Sequence, residues 1–115
     1  MPLCRRRSLD YATAMLSHVV IFWTKPDVAD AVDKLQAGMK KYLEPIPGVK
    51  VFHSGKMVPS ERPVVDQSYQ VGLYIQVQDK AAETAYQKHP LHVEFIEKII
   101  KTCVERVQVY DFADA

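Results

Sequence analysis

Residues 69 to 77 read YQVGLYIQV, and the alternation of side chains in this stretch decides the fold. Successive side chains of a β-strand point to opposite faces of a sheet, so a strand that is buried on one face alternates with a period of two. One face carries Tyr69, Val71, Leu73, Ile75 and Val77, and the other carries Gln70, Gly72, Tyr74 and Gln76. The stretch is therefore predicted to be a strand with one face in a core and one face of mixed character.

A strand, a helix and a second strand are predicted on the N-terminal side of this stretch. Residues 16–23, LSHVVIFW, are rich in β-branched and aromatic types and are followed by a Thr-Lys-Pro-Asp turn. An amphipathic helix is predicted to start at the cap residue Asp27 and to end at residues 45–48, Pro-Ile-Pro-Gly. Its apolar face consists of Val28, Val32, Leu35, Met39, Tyr42 and Leu43. Residues 49–57 are predicted to form a strand, and the proline- and charge-containing residues 59–67 an exposed loop.

A second helix, interrupted by a proline, and a last strand are predicted on the C-terminal side. Asp79 is the expected cap of the first helical part. Pro90 lacks an amide proton and disfavours helical angles at His89, so it is expected to end this part and to begin a fresh helix that runs to about Thr102. Residues 104–112 supply the last strand. The order β-α-β-β-α-β predicts an α+β ferredoxin-like subunit, with a four-stranded antiparallel sheet and two helices on one face.

The first strand has apolar side chains on both of its faces. One face carries His18, Val20 and Phe22, and the other carries Val19, Ile21 and Trp23. Two helices cover only one face of the sheet, and burial of the other face would contribute roughly 25 cal/mol per Å² of apolar surface. A second copy packed on the uncovered face would bury it. The chain is therefore predicted to be a homodimer that joins through the sheet face.

Composition and charge exclude several classes of partner. The 115 residues fit one domain, and their 15 basic and 14 acidic side chains give a formal charge of +1. Arg5, Arg6 and Arg7 form the only basic run, so nucleic acid is not an expected partner. The apolar runs are far shorter than the roughly 20 residues that cross a bilayer, so no membrane partner is expected.

The N-terminal residues differ from the rest of the chain. Residues 1–14 show neither helical nor strand periodicity and are predicted to be a disordered arm, which an upstream start codon would explain, whereas residues 15–115 are predicted to form the domain. No apolar stretch of a secretory signal follows the arginines. Cys4 and Cys103 stand at no motif spacing, so neither a disulfide framework nor a CxxC site is expected. These features predict a reducing, cytoplasmic setting.

The second part of the interrupted helix presents a histidine on an apolar face. That face consists of His92, Phe95, Ile96, Ile99, Ile100 and Cys103. Burial lowers the pKa of a histidine and favours the neutral imidazole, which acts as a general base near pH 7. A hydrogen-bonded core or capping residue is the alternative interpretation of His92. Periodicity leaves open the direction of Tyr86, whose hydroxyl is a candidate acid or hydrogen-bond donor.

Two further histidines lie on the predicted strands. His18 enters the first strand, and the structural interpretation is a strand-end residue that is bonded to backbone or water. His53 alternates with Val49 and Val51 on the predicted second strand, a pattern that is more typical of a structural residue than of a functional one.

No metal site or cofactor site is predicted. His89 and His92 are three residues apart, but no third ligand accompanies them, and the proline between them alters their relative direction. Phosphate-binding loops, dinucleotide motifs and GxSxG are all missing from the sequence, so nucleotide and acyl-hydrolase chemistry gain no support.

The chain resembles the stress-responsive α/β-barrel domain family, whose members are called Dabb domains. The resemblance covers residues 15–112 and rests on the opening HVVIFW, on the segment His89-Pro90-Leu91-His92 with Phe95, and on the final Tyr110-Asp111-Phe112. It implies a ferredoxin-like subunit whose dimer closes two sheets into a barrel. This agrees with the burial argument for a homodimer.

The resemblance also implies roles for individual residues. In the olivetolic acid cyclase of this family the second histidine of the HPxH motif is the general base, a role that falls on His92 here. The tyrosine three residues before the motif helps to hold the substrate, which falls on Tyr86. A supporting histidine of the cyclase falls on Val71, so this chain departs from the cyclase there. The other residues expected to contact a ligand are His18, His89, Phe95 and Val71.

Three functions remain open on the sequence alone. The first is an enzyme that performs lyase-, cyclase- or isomerase-like general base chemistry, not hydrolysis, on a small carbonyl compound bound near His92. The second is a module that binds a small apolar ligand without chemistry. The third is a stress-protective dimer whose histidines are only packed. Architecture does not choose among them, but a cavity beside His92 would favour the first two.

Overall fold

The structure is a computed structural model that describes residues 14–114. It contains four strands, namely β1 (Leu16–Thr24), β2 (Val49–Lys56), β3 (Val71–Val77) and β4 (Val104–Ala113). Its helices are α1 (Ala31–Gly38), α2 (Lys80–Lys88), α3 (Pro90–Phe95) and α4 (Lys101–Cys103), and α1 and α3 continue into the π-helical turns π1 (Met39–Leu43) and π2 (Ile96–Ile100). This order confirms the predicted β-α-β-β-α-β pattern.

The four strands form one antiparallel sheet in the order β2-β3-β1-β4. This is the topology of a ferredoxin-like α+β fold, as predicted. One face of the sheet packs with the helices into the hydrophobic core, to which β3 contributes its alternate residues. These are Val71, Leu73, Ile75 and Val77, all at most 3% exposed. The alternation in residues 69–77 therefore identified the buried face correctly, although β3 itself begins at Val71.

The β2 strand contains an irregularity that the sequence did not reveal. Its register against β3 shifts between Val49 and Val51, so that Val49 pairs with Val77 and Val51 pairs with Gln76. Val49 thus shares the core face, whereas Val51 and His53 share the opposite face. The prediction that these three residues alternate on one face was wrong for Val49, because a bulge adds one residue to the strand.

The first helix starts later than predicted. Regular helix begins at Ala31 rather than at Asp27, and Asp30 stands at the cap position without a side-chain hydrogen bond. The predicted apolar face is otherwise found in the core, where Leu35, Met39 and Leu43 are at most 1% exposed. The helix ends before Pro45 with the turn π1, as the Pro-Ile-Pro-Gly segment indicated.

The break at Pro90 has the predicted geometry. The Asp79 side chain accepts a hydrogen bond from the Ala82 N–H and caps α2. His89 is extended, with φ −62° and ψ 140°, and Pro90 is the first residue of α3. The helical axis therefore changes direction between α2 and α3, and this turn lies beside the core face of β1.

The ends of the described region bear on two other predictions. Ala14, the last residue of the predicted arm, is 7% exposed, and the remainder of the arm, residues 1–13, lies outside the described residues. Within residues 14–114, no helix has the length and apolar character needed to cross a bilayer.

Candidate active site

A cavity of about 150 Å³ lies between the core face of the sheet and the helices. Most of its lining is apolar, and its polar lining residues are His18, Tyr86, Gln87 and His92. Val107 and Val109 of the edge strand β4 also line it, and they remain 41% and 43% exposed. The cavity therefore opens to solvent beside β4, where the helices do not cover the sheet.

His18 is held in the cavity wall by a carboxylate. The side chain is buried, and its Nδ1 lies 2.6 Å from Oδ1 of Asp111. The two residues are direct partners in the antiparallel pairing of β1 with β4, so the sheet register itself brings them together. The partner of His18 Nδ1 is thus a carboxylate, whereas the structural interpretation of the sequence had expected backbone or water. Because Nδ1–H donates to the carboxylate, the neutral ring carries its free lone pair on Nε2.

Tyr86 lies between the two histidines of the cavity. Its ring centroid is 4.9 Å from that of His92 and 5.9 Å from that of His18, and both contacts are edge-to-face. Burial, with a smaller effect from the charge of Glu83, raises the pKa of Tyr86 well above its usual value. The phenol therefore stays protonated at neutral pH and can donate a hydrogen bond.

His92 reaches the cavity from the first turn of α3 and is partly buried. Burial is the main cause that lowers the pKa of His92, the charge of His18 adds to it, and the charge of Glu83 opposes it. Within residues 14–114, the imidazole of His92 forms no hydrogen bond. A neutral histidine without a fixed partner has a nitrogen lone pair available for a ligand.

Glu83 and Gln87 form a polar pair behind Tyr86 on α2. The Glu83 carboxylate is 5% exposed and accepts hydrogen bonds from the Lys80 ammonium and from the Gln87 amide, each at 2.9 Å. Burial raises the pKa of Glu83, but these two hydrogen bonds and the charges of Lys80 and His18 together leave it below its usual value. Glu83 is therefore a buried carboxylate that carries its charge at neutral pH.

The remaining candidate residues are divided between the cavity and other places. Phe95 is 2% exposed and lines the cavity. His89 does not line it, because its Nδ1 accepts the Leu91 N–H and caps α3. Val71 is fully buried on the core face of β3 and is not part of the lining either. His53 lies exposed on the opposite face of the sheet, where it pairs with Tyr74.

Sequence reasoning missed Asp111, Glu83 and Gln87 as site residues. Asp111 follows Val107 and Val109 at the alternation of a strand, which places it on the core face once the pairing with β1 is known. Glu83 and Gln87 are four residues apart on one helical face, a spacing that predicts contact with each other but not with β1. His18, Glu83 and Asp111 also form the group that could hold a metal ion, since one ligand atom from each lies within 4.8 Å of the others.

The sequence matches the model of the stress-responsive A/B barrel domain, or Dabb, over residues 16–114. The match covers nearly the whole chain. The chain belongs to the Dabb family. This confirms the family to which the HPLH segment and the final strand pointed. A comparison of this Dabb domain with curated proteins gives no significant match.

Solved structures of similar proteins share the fold of this Dabb domain. A Dabb family protein with a ferredoxin-like fold from Mesorhizobium loti is 28% identical, with a TM-score of 0.72 over 89% of this chain and 98% of its own. A dimeric ferredoxin-like protein of unknown function from Thermobifida fusca is 20% identical, with a TM-score of 0.72 over 90% and 93%. A hydroxynitrile lyase from Passiflora edulis is 16% identical, with a TM-score of 0.70 over 90% and 95%, which shows the fold alone.

Proposed function

We propose that this Dabb domain is a homodimeric enzyme that transfers a proton at the carbon next to the carbonyl group of a small, largely apolar compound. The observation that carries the proposal is the position of Tyr86 between His18 and His92 at the polar end of an otherwise apolar cavity. A protonated phenol in ring contact with each of two imidazoles is an acid–base set.

His92 is the general base in this proposal. Its neutral imidazole accepts the proton from the C–H bond, and the electron pair of that bond moves onto the carbonyl oxygen as an enolate forms. The Tyr86 hydroxyl donates a hydrogen bond to this oxygen, where the charge develops. Protonated His92 then exchanges this proton with solvent and delivers a solvent-derived proton back to the carbon as the carbonyl group forms again. A general base must be unprotonated to act, and burial, which lowers the pKa of His92, favours the neutral imidazole at neutral pH.

The size of the cavity limits the ligand. An apolar cavity of about 150 Å³ is large enough to hold benzene. The cavity here has a volume of about 150 Å³ and is walled by aliphatic and aromatic side chains, with the polar groups at one end. A ligand with one ring or a short branched chain, and a carbonyl group directed at Tyr86, fits this distribution.

The absence of a fixed partner on His92 separates this function from a purely structural one. A histidine kept for packing in a closed core would be bonded to a backbone carbonyl, with no space beside it. Here the imidazole borders a cavity and forms no hydrogen bond within residues 14–114. This supports a ligand over a packing role.

The experiment is the exchange of α-hydrogens for deuterium. Acetophenone and 2-butanone are incubated with the full chain in D₂O, and loss of the α-proton signals is followed by NMR. We expect exchange above the buffer rate for the parent protein and a loss of at least about tenfold in His92→Leu and in Tyr86→Phe. His53→Gln, an exposed histidine on the other face, is the control that retains full exchange.

Two results would count against the proposal in different ways. Exchange that persists in His92→Leu would remove His92 from the role of base. Line broadening of the ketone signals by the parent protein, with no exchange at any pH from 5 to 9, would replace the enzyme by a module that binds the ligand without chemistry.

A further inference from the structure

We propose that His18, Glu83 and Asp111 form a binding site for a single divalent transition-metal ion, for which Zn²⁺ is the best suited. The three residues come from three separate elements, β1, α2 and β4, and lie close together beside the cavity, of which His18 is a lining residue. This inference goes beyond the proposed proton transfer and holds whether or not that reaction occurs, since it concerns binding of an ion.

The distances between the three ligand atoms are close to those that a bound ion requires. One nitrogen of His18 and one oxygen each of Glu83 and Asp111 lie within 4.8 Å of one another. Ligand atoms about 2.1 Å from a tetrahedral zinc ion are about 3.4 Å apart. His18 Nδ1 and Asp111 Oδ1 are 2.6 Å apart, closer than this, so they would separate slightly as the ion takes the place of the proton between them.

The electrostatics favour a cation at this place. Two carboxylates lie together, one of them 5% exposed, and like charges in a partly buried site repel each other unless a positive charge lies between them. The positive charge of Lys80 contacts Glu83 from a side chain that is 54% exposed. An ion at the centre would replace the Nδ1 proton shared with Asp111, while the Lys80 ammonium turns toward solvent.

The ligand types select the metal. One imidazole and two carboxylates match Zn²⁺, whereas Mg²⁺ and Ca²⁺ prefer sets made of oxygen alone. Three protein ligands leave one tetrahedral position open. His18 lines the cavity, so the open position lies at the cavity end, where water or a ligand oxygen could take it.

The test is titration of the metal-free full chain with ZnCl₂ by calorimetry, and with CoCl₂ by visible absorption. We expect one ion per chain, a d–d spectrum of nitrogen and oxygen ligands, and a loss of affinity of at least about tenfold in both Glu83→Gln and Asp111→Asn. His53→Gln removes an exposed imidazole on the opposite face and should leave the affinity unchanged.

Several results would overturn this assignment. Affinity that is unchanged in Glu83→Gln and Asp111→Asn, when circular dichroism shows that these variants are folded, would exclude the site. A loss in His92→Gln as large as in Glu83→Gln would place the ion on the two histidines instead. Strong thiolate bands with Co²⁺ would assign it to Cys4 or Cys103, and the absence of any binding would end the proposal. None of these outcomes depends on turnover, so they are separate from a failure of the proton-exchange experiment.

Discussion

His18 and His92 reach the same cavity under different constraints. His18 is buried and fixed by Asp111, so its orientation and tautomer are set by the sheet. His92 is partly buried among apolar side chains and, within residues 14–114, has no hydrogen-bond partner. Residues that are kept at functional sites often cost stability that a better-packed residue would provide. The stability of a His92 variant therefore bears directly on its role.

We predict that His92→Leu is at least as stable as the parent near pH 7. Leucine fills a similar space, and no described hydrogen-bond partner is left unsatisfied. Burial lowers the pKa of His92 below its ordinary value of 6.5 in the folded chain. As the pH falls through 6.5, the unfolded chain therefore binds more protons at this residue than the folded chain does. The free energy of unfolding that depends on neutral His92 is therefore fully present above pH 6.5 and is lost on acidification. Between pH 6.5 and 5, His92→Leu should lose less stability than the parent protein. Denaturant unfolding at one fixed protein concentration measures both effects.

His53→Gln is the matched control for this pH dependence, because it removes an exposed histidine on the opposite face of the sheet, outside the cavity. Its free energy of unfolding should fall with acid as steeply as that of the parent. The charged and titratable groups around His92 are His18, Glu83 and Tyr86, and all three are retained in both variants. A loss of 1–3 kcal/mol in His92→Leu near pH 7, of the size that an unsatisfied buried partner causes, would make His92 a structural residue.

The sequence indicated some site residues and could not indicate others. His92 follows from the 3.6-residue period of its helix, and Tyr86 from the resemblance to the Dabb family. Asp111 is 93 residues from His18 along the chain, and its contact depends on the register between β1 and β4. No local pattern contains that register, so the pair became visible only in the folded sheet.

At the level of elements, the junction between α2 and α3 depends on the cap formed by His89. Its Nδ1 accepts the Leu91 N–H at 3.1 Å, and Pro90 follows at the first helical position. We predict that His89→Ala lowers the free energy of unfolding by about 0.5–2 kcal/mol, the range of a lost N-cap. His89→Asn, which restores a capping oxygen, should stay within a few tenths of the parent. Equal losses in the two variants would show that His89 contributes through something other than the cap.

The crossing of α1 with π2 is closest at Gly38. A Cβ atom placed there would lie 2.7 Å from Cγ1 of Ile99 and 2.9 Å from its Cδ1. Ile99 is β-branched and has little freedom to turn away. We therefore predict that Gly38→Ala is destabilising by up to about 2 kcal/mol, since an overpacking cost of about 1–3 kcal/mol is only partly offset by the helix-propensity gain of about 0.5–1 kcal/mol.

A double-mutant cycle with Ile99→Ala tests the cause of this effect. Once the Ile99 branches are removed, Gly38→Ala should be neutral or stabilising, which gives a favourable interaction energy in the cycle. If Gly38→Ala costs the same free energy in both backgrounds, the contact with Ile99 is not responsible. The measurement is chemical denaturation of the four proteins at one protein concentration.

Elements that are set by interactions between neighbouring residues were predictable from the sequence, and elements that are set by tertiary contacts were not. The β3 strand and the break at Pro90 are set by neighbouring residues, and both were predicted correctly. The bulge between Val49 and Val51 depends on how β2 meets β3, and the close approach of Gly38 to Ile99 depends on how two helical segments pack. Tertiary contacts decide these features, so local propensity does not contain them.

At the scale of the whole molecule, the sheet separates the cavity from an apolar face that the helices do not cover. The cavity with His18 and His92 lies on the helix-covered face, and the other face presents Ile21, Tyr110 and further apolar side chains to solvent. Tyr110 and Phe112 on that face are 56% and 59% exposed. Several structurally similar proteins of ferredoxin-like fold are described as dimeric. A dimer formed through the outer face would leave the mouth of the cavity beside β4 on the opposite side of the sheet.

We predict that Ile21→Glu converts the protein to a monomer while the subunit remains folded. Ile21 lies near the middle of β1 on the outer face, opposite Gly72 of β3 and Gln108 of β4, so a carboxylate there would be placed inside a face-to-face dimer without a partner. Light scattering after size-exclusion chromatography gives the mass, and circular dichroism reports the fold. Val58→Glu is the matched control, because Val58 is 73% exposed in the loop between β2 and β3 and the change adds the same charge. A dimer that persists in Ile21→Glu would place the interface on another surface, and then the apolar side chains of the outer face would need a different explanation than a second copy of this chain.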